Sequence, residues 1–165
     1  MGDYWNARKF FGYFDKALEL CEKYGSNAAR VLEVGPRDTR FLERLVWIPT
    51  KVAIDNEVMP EIHGGHNIRA DFVELPDPDP IFDLTVCLQV LEHVNDVSKF
   101  AQKLKRSCRV LIVSVPYLWP AGFCQSHCQD PVDMIKLAGW VGLEPVESAI
   151  CEDRGLSRLI GAFQF

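Results

Sequence analysis

The acids around one turn, in the segment VLEVGPRDTRFLERL, are the first residues with a clear capacity for ligand chemistry. An apolar run ends at Glu33 and Gly35, and Asp38 follows just before a predicted amphipathic helix. A glycine here lets a ligand approach the backbone closely, which any Cβ would obstruct. The acids would repel a pyrophosphate, and they suit a cationic ligand such as an amino group or a sulfonium. The turn also lacks G-x-G-x-x-G, which disfavours a nicotinamide dinucleotide.

Two histidines are candidates for removing a proton from an acceptor. His127 lies in the aromatic and polar segment VPYLWPAGFCQSHCQDPVD, which we expect to overhang the pocket, and it is the first choice for a catalytic base. His93, in LEHV, is the second candidate, and a structural histidine bonded to loop backbone is its alternative interpretation. Asp130 is expected to cap the helix that follows. His63 and His66 flank two glycines and are expected in a surface turn.

The segment CQSHC also has the residue types of a metal site, with Cys124, His127 and Cys128 as ligands. Zinc requires four protein ligands, or three and a water, and the sequence holds no second Cys/His cluster with finger-like spacing. We therefore predict no metal site. Four of the six cysteines lie in apolar or helical patterns, where a free thiol behaves as a small hydrophobe.

Short apolar runs alternate with helical or turn segments, and this alternation predicts the elements that position these side chains. The predicted strands are 31–34, 52–54, 68–70, 84–88 and 110–115. Apolar strands that alternate with helices indicate a parallel sheet covered on both faces. A helix is predicted from Asp130 and Pro131 to Gly142. The two runs after it, LEPVESAIC and SRLIGAFQF, lie so close together that they predict an antiparallel hairpin.

Two helical stripes complete the prediction. The spacing of Phe10, Phe14 and Cys21 predicts a helix within residues 1–25, and Tyr4 and Trp5 before it are candidates for a lid. A second helix is predicted from 97 to 106, beginning after Asn95 and Asp96 and ending on basic residues, as the helix dipole prefers. We expect one domain over 1–165, with a Rossmann-like core over 30–165.

The composition is that of an ordinary soluble globular chain. Of 165 residues, 48% are hydrophobic and 25% charged, and the net charge is −5. Lysine and arginine are scattered, which argues against nucleic acid as a partner. No apolar run reaches membrane-spanning length. The N-terminus lacks the basic start and apolar stretch of a secretion signal, so we expect a cytoplasmic protein without a membrane partner.

The order of the motifs resembles the class I S-adenosylmethionine-dependent methyltransferases, in particular the small methyltransferase type 11-like family. The segments that carry the resemblance are VLEVGPRDT, KVAIDNE, IRADFVEL, FDLTVCLQVLEHV and RVLIVSVP. The closing hairpin is similar to the antiparallel sixth and seventh strands of that fold. The resemblance runs from about residue 30 to residue 165. It implies an α/β fold with a doubly wound, mostly parallel seven-stranded sheet.

The resemblance also implies which residues bind the cofactor. They are Glu33, Gly35, Pro36, Asp55, Asn56, Asp71, Phe72, Gln89 and Leu91. Glu33 would hold the methionine part, Asp55 would accept hydrogen bonds from both ribose hydroxyls, and Asp71 would accept one from the adenine amine. The sequence departs from the family at Arg37 and Thr39, which stand where the family has its second and third glycines.

The implied activity is methyl transfer from S-adenosylmethionine, with S-adenosylhomocysteine as product, to an oxygen of a small-molecule or glycan-type acceptor. The C-terminal segment resembles small methyltransferases found with sugar and polysaccharide assembly. The chain has almost no insertion for a substrate domain, so a large acceptor would need an open surface, a partner chain or a second copy. The alternatives are a non-catalytic scaffold that binds a partner and a domain for another nucleotide cofactor.

Overall fold

The computed structural model describes residues 3–59 and 62–165. Seven strands form one sheet: β1 (Arg30–Val34), β2 (Thr50–Asp55), β3 (His66–Arg69), β4 (Phe82–Leu88), β5 (Cys108–Pro116), β6 (Glu147–Asp153) and β7 (Leu156–Gln164). Their order is β3-β2-β1-β4-β5-β7-β6. The first five strands are parallel, and β7 runs antiparallel to both β5 and β6. The predicted mostly parallel sheet with a closing antiparallel hairpin is confirmed.

The helices are α1 (Asp3–Arg8), α2 (Gly12–Gly25), α3 (Phe41–Arg44), α4 (Val97–Ser107) and α5 (Met134–Val141), and a 3₁₀ turn spans Leu91–His93. The predicted start of α4 is confirmed, because the Asp96 side chain accepts a hydrogen bond from the Lys99 amide at 3.1 Å. No helix in the described part of the chain is both long enough and apolar enough to cross a bilayer.

The sheet separates two hydrophobic cores. Val31 packs with α2 and α3 on one face, whereas Leu32 and Val34 of the same strand pack with α4 and α5 on the other. Ile112 and Leu111 of β5 divide between the two faces in the same way. Burial on both faces explains why the strands are continuous apolar runs rather than alternating ones.

The predicted N-terminal helix differs from the observed structure. The segment forms two helices, and Phe10 lies between them with 84% of its surface exposed. The break has a tertiary cause, since the Gly12 amide at the start of α2 donates to the Asp153 carboxylate of β6 at 2.6 Å. Trp5 packs edge-on against Phe14 with ring centroids 5.1 Å apart. The predicted lid role of Tyr4 falls on a side chain outside those that the structure describes.

Two other predicted helices differ in length or start. The helix after the opening turn is only the four residues of α3. The predicted start of α5 at Asp130 and Pro131 is wrong: α5 begins at Met134, and Asp133 caps it by accepting from the Lys136 amide at 2.8 Å. Asp130 does not cap the helix, and its Oδ2 bonds to His127 instead. The predicted end at Gly142 is confirmed.

Candidate functional site

A cavity of about 360 Å³ lies at the carboxyl edge of the sheet, where β1, β2 and β4 end. This edge is where open α/β sheets bind ligands, and the volume is within the range of small-molecule sites. Of the residues predicted to bind a cofactor, six line it: Glu33, Gly35, Pro36, Asp55, Asn56 and Gln89.

Glu33 is the most unusual group in this cavity. It is 2% exposed, and burial raises the pKa of its carboxyl from 4.5 to about 8, an effect that hydrogen bonding from Thr39 partly offsets. The Thr39 hydroxyl donates to Oε1 at 3.5 Å, whereas Oε2 is buried with no hydrogen-bond partner among the described residues. A buried carboxylate oxygen without a partner is costly. A cationic or hydrogen-donating ligand would satisfy it.

The glycine of the opening turn has a packing role. Gly35 has a φ of +73°, and a Cβ there would lie 2.5 Å from a methyl carbon of Val90, which follows β4. Its amide donates to the Ile54 carbonyl at 2.8 Å. Gly35 is therefore required for close packing of two loops, and its own amide is not available to a ligand.

Arg37 and Thr39, which stand where the family has glycines, are both bonded within the loop region. Arg37 has a φ of 54°, so it adopts the left-handed conformation that a glycine would adopt more easily. Its amide donates to Asp55 Oδ2 at 2.7 Å, and the Thr39 amide donates to the Pro36 carbonyl at 2.9 Å. These two amides are engaged within the protein, so neither is available to a ligand.

Asp55 organises the loop after β2. Its Oδ1 accepts from the amides of Glu57 at 2.9 Å and Val58 at 3.1 Å, and its Oδ2 accepts from Arg37. A carboxylate offers about four lone-pair sites, so one site on Oδ2 is left for a ligand. Asp55 was expected to accept hydrogen bonds from both ribose hydroxyls. Because only one site is left, the second hydroxyl needs another acceptor nearby.

Gln89 holds the end of β4 in a second left-handed conformation, with a φ of 57°. Its amide donates to the Ser114 carbonyl at 2.8 Å, and its side chain donates to the Ser114 hydroxyl at 3.1 Å. Left-handed non-glycine residues are uncommon and concentrate at functional sites. The two in this cavity, Arg37 and Gln89, lie on the loops after β1 and β4.

Three predicted cofactor residues do not line the cavity. Asp71 is exposed, and its side chain accepts from the Val73 amide at 2.9 Å. Phe72 is buried against Phe100, with ring centroids 5.4 Å apart, and Leu91 is fully buried in the same core. Phe72 and Leu91 are thus core residues, whose placement at the ligand came from the resemblance and not from their own chemistry.

Several residues that line the cavity were not predicted to do so from the sequence. Tyr13 and Phe14 of α2 line it, and so do Glu57, Val90 and Ser126. The helical spacing of Phe14 correctly indicated a buried face, but nothing in the sequence indicated that this helix lies against the opening turn.

The two predicted catalytic histidines lie side by side, with ring centroids 4.7 Å apart. His93 lines the cavity and its Nδ1 donates to the Ser126 carbonyl at 3.0 Å. Its pKa is lowered from 6.5, chiefly by burial. The side chain of His127 is 6% exposed, stacks on Trp119 and bonds through Nδ1 to Asp130 Oδ2 at 2.6 Å. His93, the second choice, therefore faces the cavity, and His127 lies behind it.

Glu92 lies next to this pair and is 1% exposed. Burial raises the pKa of its carboxyl from 4.5 to about 8, Asp130 adds to the effect and Arg158 partly offsets it. Its Oε2 forms no hydrogen bond with the described residues. The site thus holds two buried glutamates with unsatisfied oxygens, Glu33 at the end of β1 and Glu92 after β4.

Comparison with known proteins places the chain in a family. Residues 5–137 match the family model of a methyltransferase domain. No curated protein sequence matches. Among solved structures, the methyltransferase domain of bacterial CtHen1 is 14% identical with a TM-score of 0.65, covering 93% of this chain and 97% of that one.

Two similar structures were solved with S-adenosylhomocysteine. The N-methyltransferase NodS from Bradyrhizobium japonicum is 18% identical with a TM-score of 0.66, over 91% of this chain and 85% of that one. Magnesium protoporphyrin IX methyltransferase from Synechocystis is 14% identical with a TM-score of 0.62, over 92% and 81%. These likenesses support the fold, and the family match extends over most of the sequence. The resemblance seen in the sequence is confirmed: the chain belongs to the class I S-adenosylmethionine-dependent methyltransferases.

Proposed function

We propose that the cavity at the carboxyl edge binds S-adenosylmethionine and that the protein methylates an oxygen of a small-molecule or glycan-type acceptor. The observation that carries the proposal is the buried Oε2 of Glu33, which has no hydrogen-bond partner among the described residues and lies beside a turn whose Gly35, Arg37 and Thr39 amides are already engaged. When bound, the cofactor supplies a sulfonium methyl group, which passes to the acceptor oxygen while the C–S electron pair returns to sulfur.

The residues of the cavity fit this cofactor in charge. Glu33 would pair with the amino group of the methionine part, and the open lone pair of Asp55 Oδ2 would accept from one ribose hydroxyl. Asn56 and Glu57, which follow Asp55 and line the cavity, are placed to bind the second hydroxyl. A pyrophosphate would meet carboxylates instead of free amides, so a nicotinamide dinucleotide fits less well.

The acceptor would enter at the side of the cavity lined by His93 and Ser126. Tyr13 and Phe14 exclude water from the other wall. Holding the acceptor in line with the methyl group in such a pocket supplies much of the acceleration of a displacement. The replacement of family glycines was one reason to consider a non-catalytic scaffold. Arg37 weakens that reason, because it adopts the left-handed conformation that a glycine would adopt more easily.

The proposal is tested by calorimetric titration of the purified protein with S-adenosylmethionine and S-adenosylhomocysteine. We expect saturable binding, and Asp55→Ala should weaken it by about 10- to 100-fold, because hydrogen bonds to a charged group contribute about 1.5–3 kcal/mol. Asp55 also anchors the loop after β2, and the loss of that anchor would add to the loss of affinity.

Asp83→Ala is a matched control. Asp83 Oδ2 likewise accepts from two backbone amides, those of Ala29 at 2.9 Å and Arg30 at 3.0 Å, but it lies at the start of β4, on the opposite edge of the sheet. This variant should lose stability without a specific loss of affinity. An absence of binding at millimolar ligand, or equal losses in both variants, would contradict the proposed site.

A further inference from the structure

We propose that Glu92, His93 and His127 bind a divalent metal ion beside the cavity and that this ion binds the acceptor hydroxyl. One donor atom from each side chain lies within 4.8 Å of the other two. Glu92 and His93 belong to the 3₁₀ turn after β4, and His127 comes from the loop between β5 and α5. The site itself stands on this geometry, and only its part in methyl transfer rests on the proposed function.

The hydrogen bonds of both histidines leave a nitrogen lone pair for a metal. A carbonyl oxygen can only accept, so His93 Nδ1 carries a proton that it donates to the Ser126 carbonyl at 3.0 Å. His127 Nδ1 donates in the same way to the carboxylate of Asp130 at 2.6 Å. The other nitrogen of each neutral ring, Nε2, then carries the lone pair. Metal-binding histidines almost always donate their second N–H to a carbonyl or carboxylate, as these two do.

Glu92 supplies the negative charge that such a site needs. Its side chain is almost wholly buried, and Oε2 forms no hydrogen bond among residues 3–59 and 62–165. Burying an unpaired carboxylate is costly, and buried charges in proteins are paired or coordinate metals. A bound cation would pair with the Glu92 carboxylate. It would also give a purpose to Asp130, which orients His127 from behind.

The surrounding bonds hold the two segments together without using these donor atoms. The Cys128 amide donates to the Glu92 carbonyl at 2.9 Å, and the Gln129 side chain donates to the Val94 carbonyl at 2.8 Å. The Trp119 ring stacks on His127 from the other side, with centroids 5.6 Å apart. The loop that carries His127 is thereby fixed against the turn that carries Glu92 and His93.

The donor set suits zinc or another first-row divalent ion. Bonds to nitrogen and oxygen are roughly 2.0–2.2 Å long, so the three side chains must close in by about 1–2 Å on binding. Three protein ligands leave at least one coordination position open. Because His93 lines the cavity, a hydroxyl there can reach that position, and a vicinal diol can occupy two.

The ion would prepare the acceptor for methylation. A bound cation lowers the pKa of a hydroxyl that it coordinates, as it does for water. The hydroxyl proton leaves to solvent, and the oxygen lone pair forms the new bond to the methyl carbon as the C–S pair returns to sulfur. The site differs from the CQSHC motif considered in the sequence, since Cys124 and Cys128 are not among its ligands.

The test is titration of chelator-treated protein with Co²⁺, followed by visible absorption, and with Zn²⁺, followed by calorimetry. We expect a single ion per chain. His93→Ala, at an exposed side chain, and the isosteric Glu92→Gln should each weaken binding by at least about 100-fold, since each removes one of three ligands. Asp130→Asn should cost about 10- to 100-fold by misorienting His127. Cys124→Ser and Cys128→Ser should bind within about twofold of the wild type.

Two outcomes would overturn the metal site: wild-type affinity in both His93→Ala and Glu92→Gln, or loss of binding in the cysteine variants alone. Failure of the wild-type protein to bind a stoichiometric ion would do the same. Titration of the same metal-free proteins with S-adenosylhomocysteine gives a separate readout. Cofactor binding without metal binding rejects only this inference, whereas metal binding without cofactor binding rejects the proposed function and leaves the metal site.

Discussion

At the scale of single residues, the buried acid Glu33 lines the cavity. Glu33 loses its hydration in the folded protein, and its hydrogen bond from the Thr39 hydroxyl is long, at 3.5 Å. The protonated form is therefore favoured in the ligand-free protein, where its pKa is about 8. A cationic group brought beside it would favour the ionised form. Binding and proton release are thus coupled at this residue.

Glu33→Gln should raise the stability of the ligand-free protein and weaken cofactor binding. Between pH 4.5 and about 8, unfolding ionises Glu33, so the free energy of unfolding of the wild type falls as pH rises through this window. The glutamine variant lacks this loss and should be more stable at pH 7.5 by about 1 kcal/mol or more, with little difference near pH 4. Urea denaturation at the two pH values measures it.

Glu74→Gln, which replaces an exposed glutamate, is the control. Its stability relative to the wild type should not depend on pH in this way. The coupling also predicts that S-adenosylhomocysteine binding at pH 7 releases a proton from the wild type and not from Glu33→Gln. Calorimetry in buffers of different ionisation enthalpy detects that proton. Equal proton release by both proteins would place the titrating group elsewhere.

At the scale of elements, α2 depends on a carboxylate from the far end of the chain. Asp153 of β6 accepts from the Gly12 amide at 2.6 Å and the Tyr13 amide at 3.4 Å, and no side chain caps α2 locally. Arg158 lies 3.7 Å from the same carboxylate, and both residues are buried. Asp153 therefore positions the helix that supplies Tyr13 and Phe14 to the cavity.

Asp153→Ala should destabilise the protein by about 2–4 kcal/mol, because it removes a helix cap and a buried ion-pair contact with Arg158. Asp133→Ala, at the cap of α5, removes only the bond from Lys136 and should cost about 1 kcal/mol. Urea denaturation measures both. Similar losses in the two variants would show that the link between Asp153 and Arg158 contributes little.

The strands were the most predictable elements. Each apolar run between residues 31 and 115 became a parallel strand within a few residues of its predicted bounds. The helix ends were predictable only where the capping residue is local, as at Asp96 and Gly142. The start of α2 was not, since its cap lies about 140 residues away.

The residues of the site likewise divide into those that the sequence could place and those that it could not. Glu33 and Asp55 lie at the ends of β1 and β2, and Gly35 and Gln89 directly follow β1 and β4, so the ends of parallel strands brought these residues to one edge. Tyr13 and Ser126 reach that edge by packing of a helix and a long loop, which no spacing in the sequence encodes. His127 was identified as a functional candidate, but Asp130, three residues later, was assigned to a helix cap instead of to His127. The closeness of His127 to Glu92 became visible only when two loops met.

At the scale of the whole molecule, one acid links the helical layer to the edge of the sheet. Glu147 of β6 bonds to Lys16 at 3.0 Å, Lys23 at 2.5 Å and the Tyr24 hydroxyl at 2.9 Å, all on α2. Hydrogen bonds from Lys23 and then Lys16 lower the pKa of its carboxyl from 4.5 to about 2. This cluster stabilises the fold only while Glu147 is ionised.

Glu147→Gln should therefore be less stable than the wild type at pH 7. A carboxyl with a lowered pKa contributes its full stabilisation above the unfolded value, near 4.5, and loses it as pH falls toward 2. The difference in thermal midpoint between variant and wild type should narrow across that interval. Glu152→Gln, at an exposed position of the same strand, is the control. A constant difference from pH 7 to pH 2 would contradict the assignment.

The bond between Gly12 and Asp153 also bears on how the protein is made. A nascent chain leaves the ribosome from its N-terminus, so α2 emerges long before the strand that caps it. Until residue 153 has been synthesised, Tyr13 and Phe14 lack the anchor that holds them against the cavity. Binding of a ligand to the finished site can therefore stabilise the growing chain only after residue 153 has been synthesised.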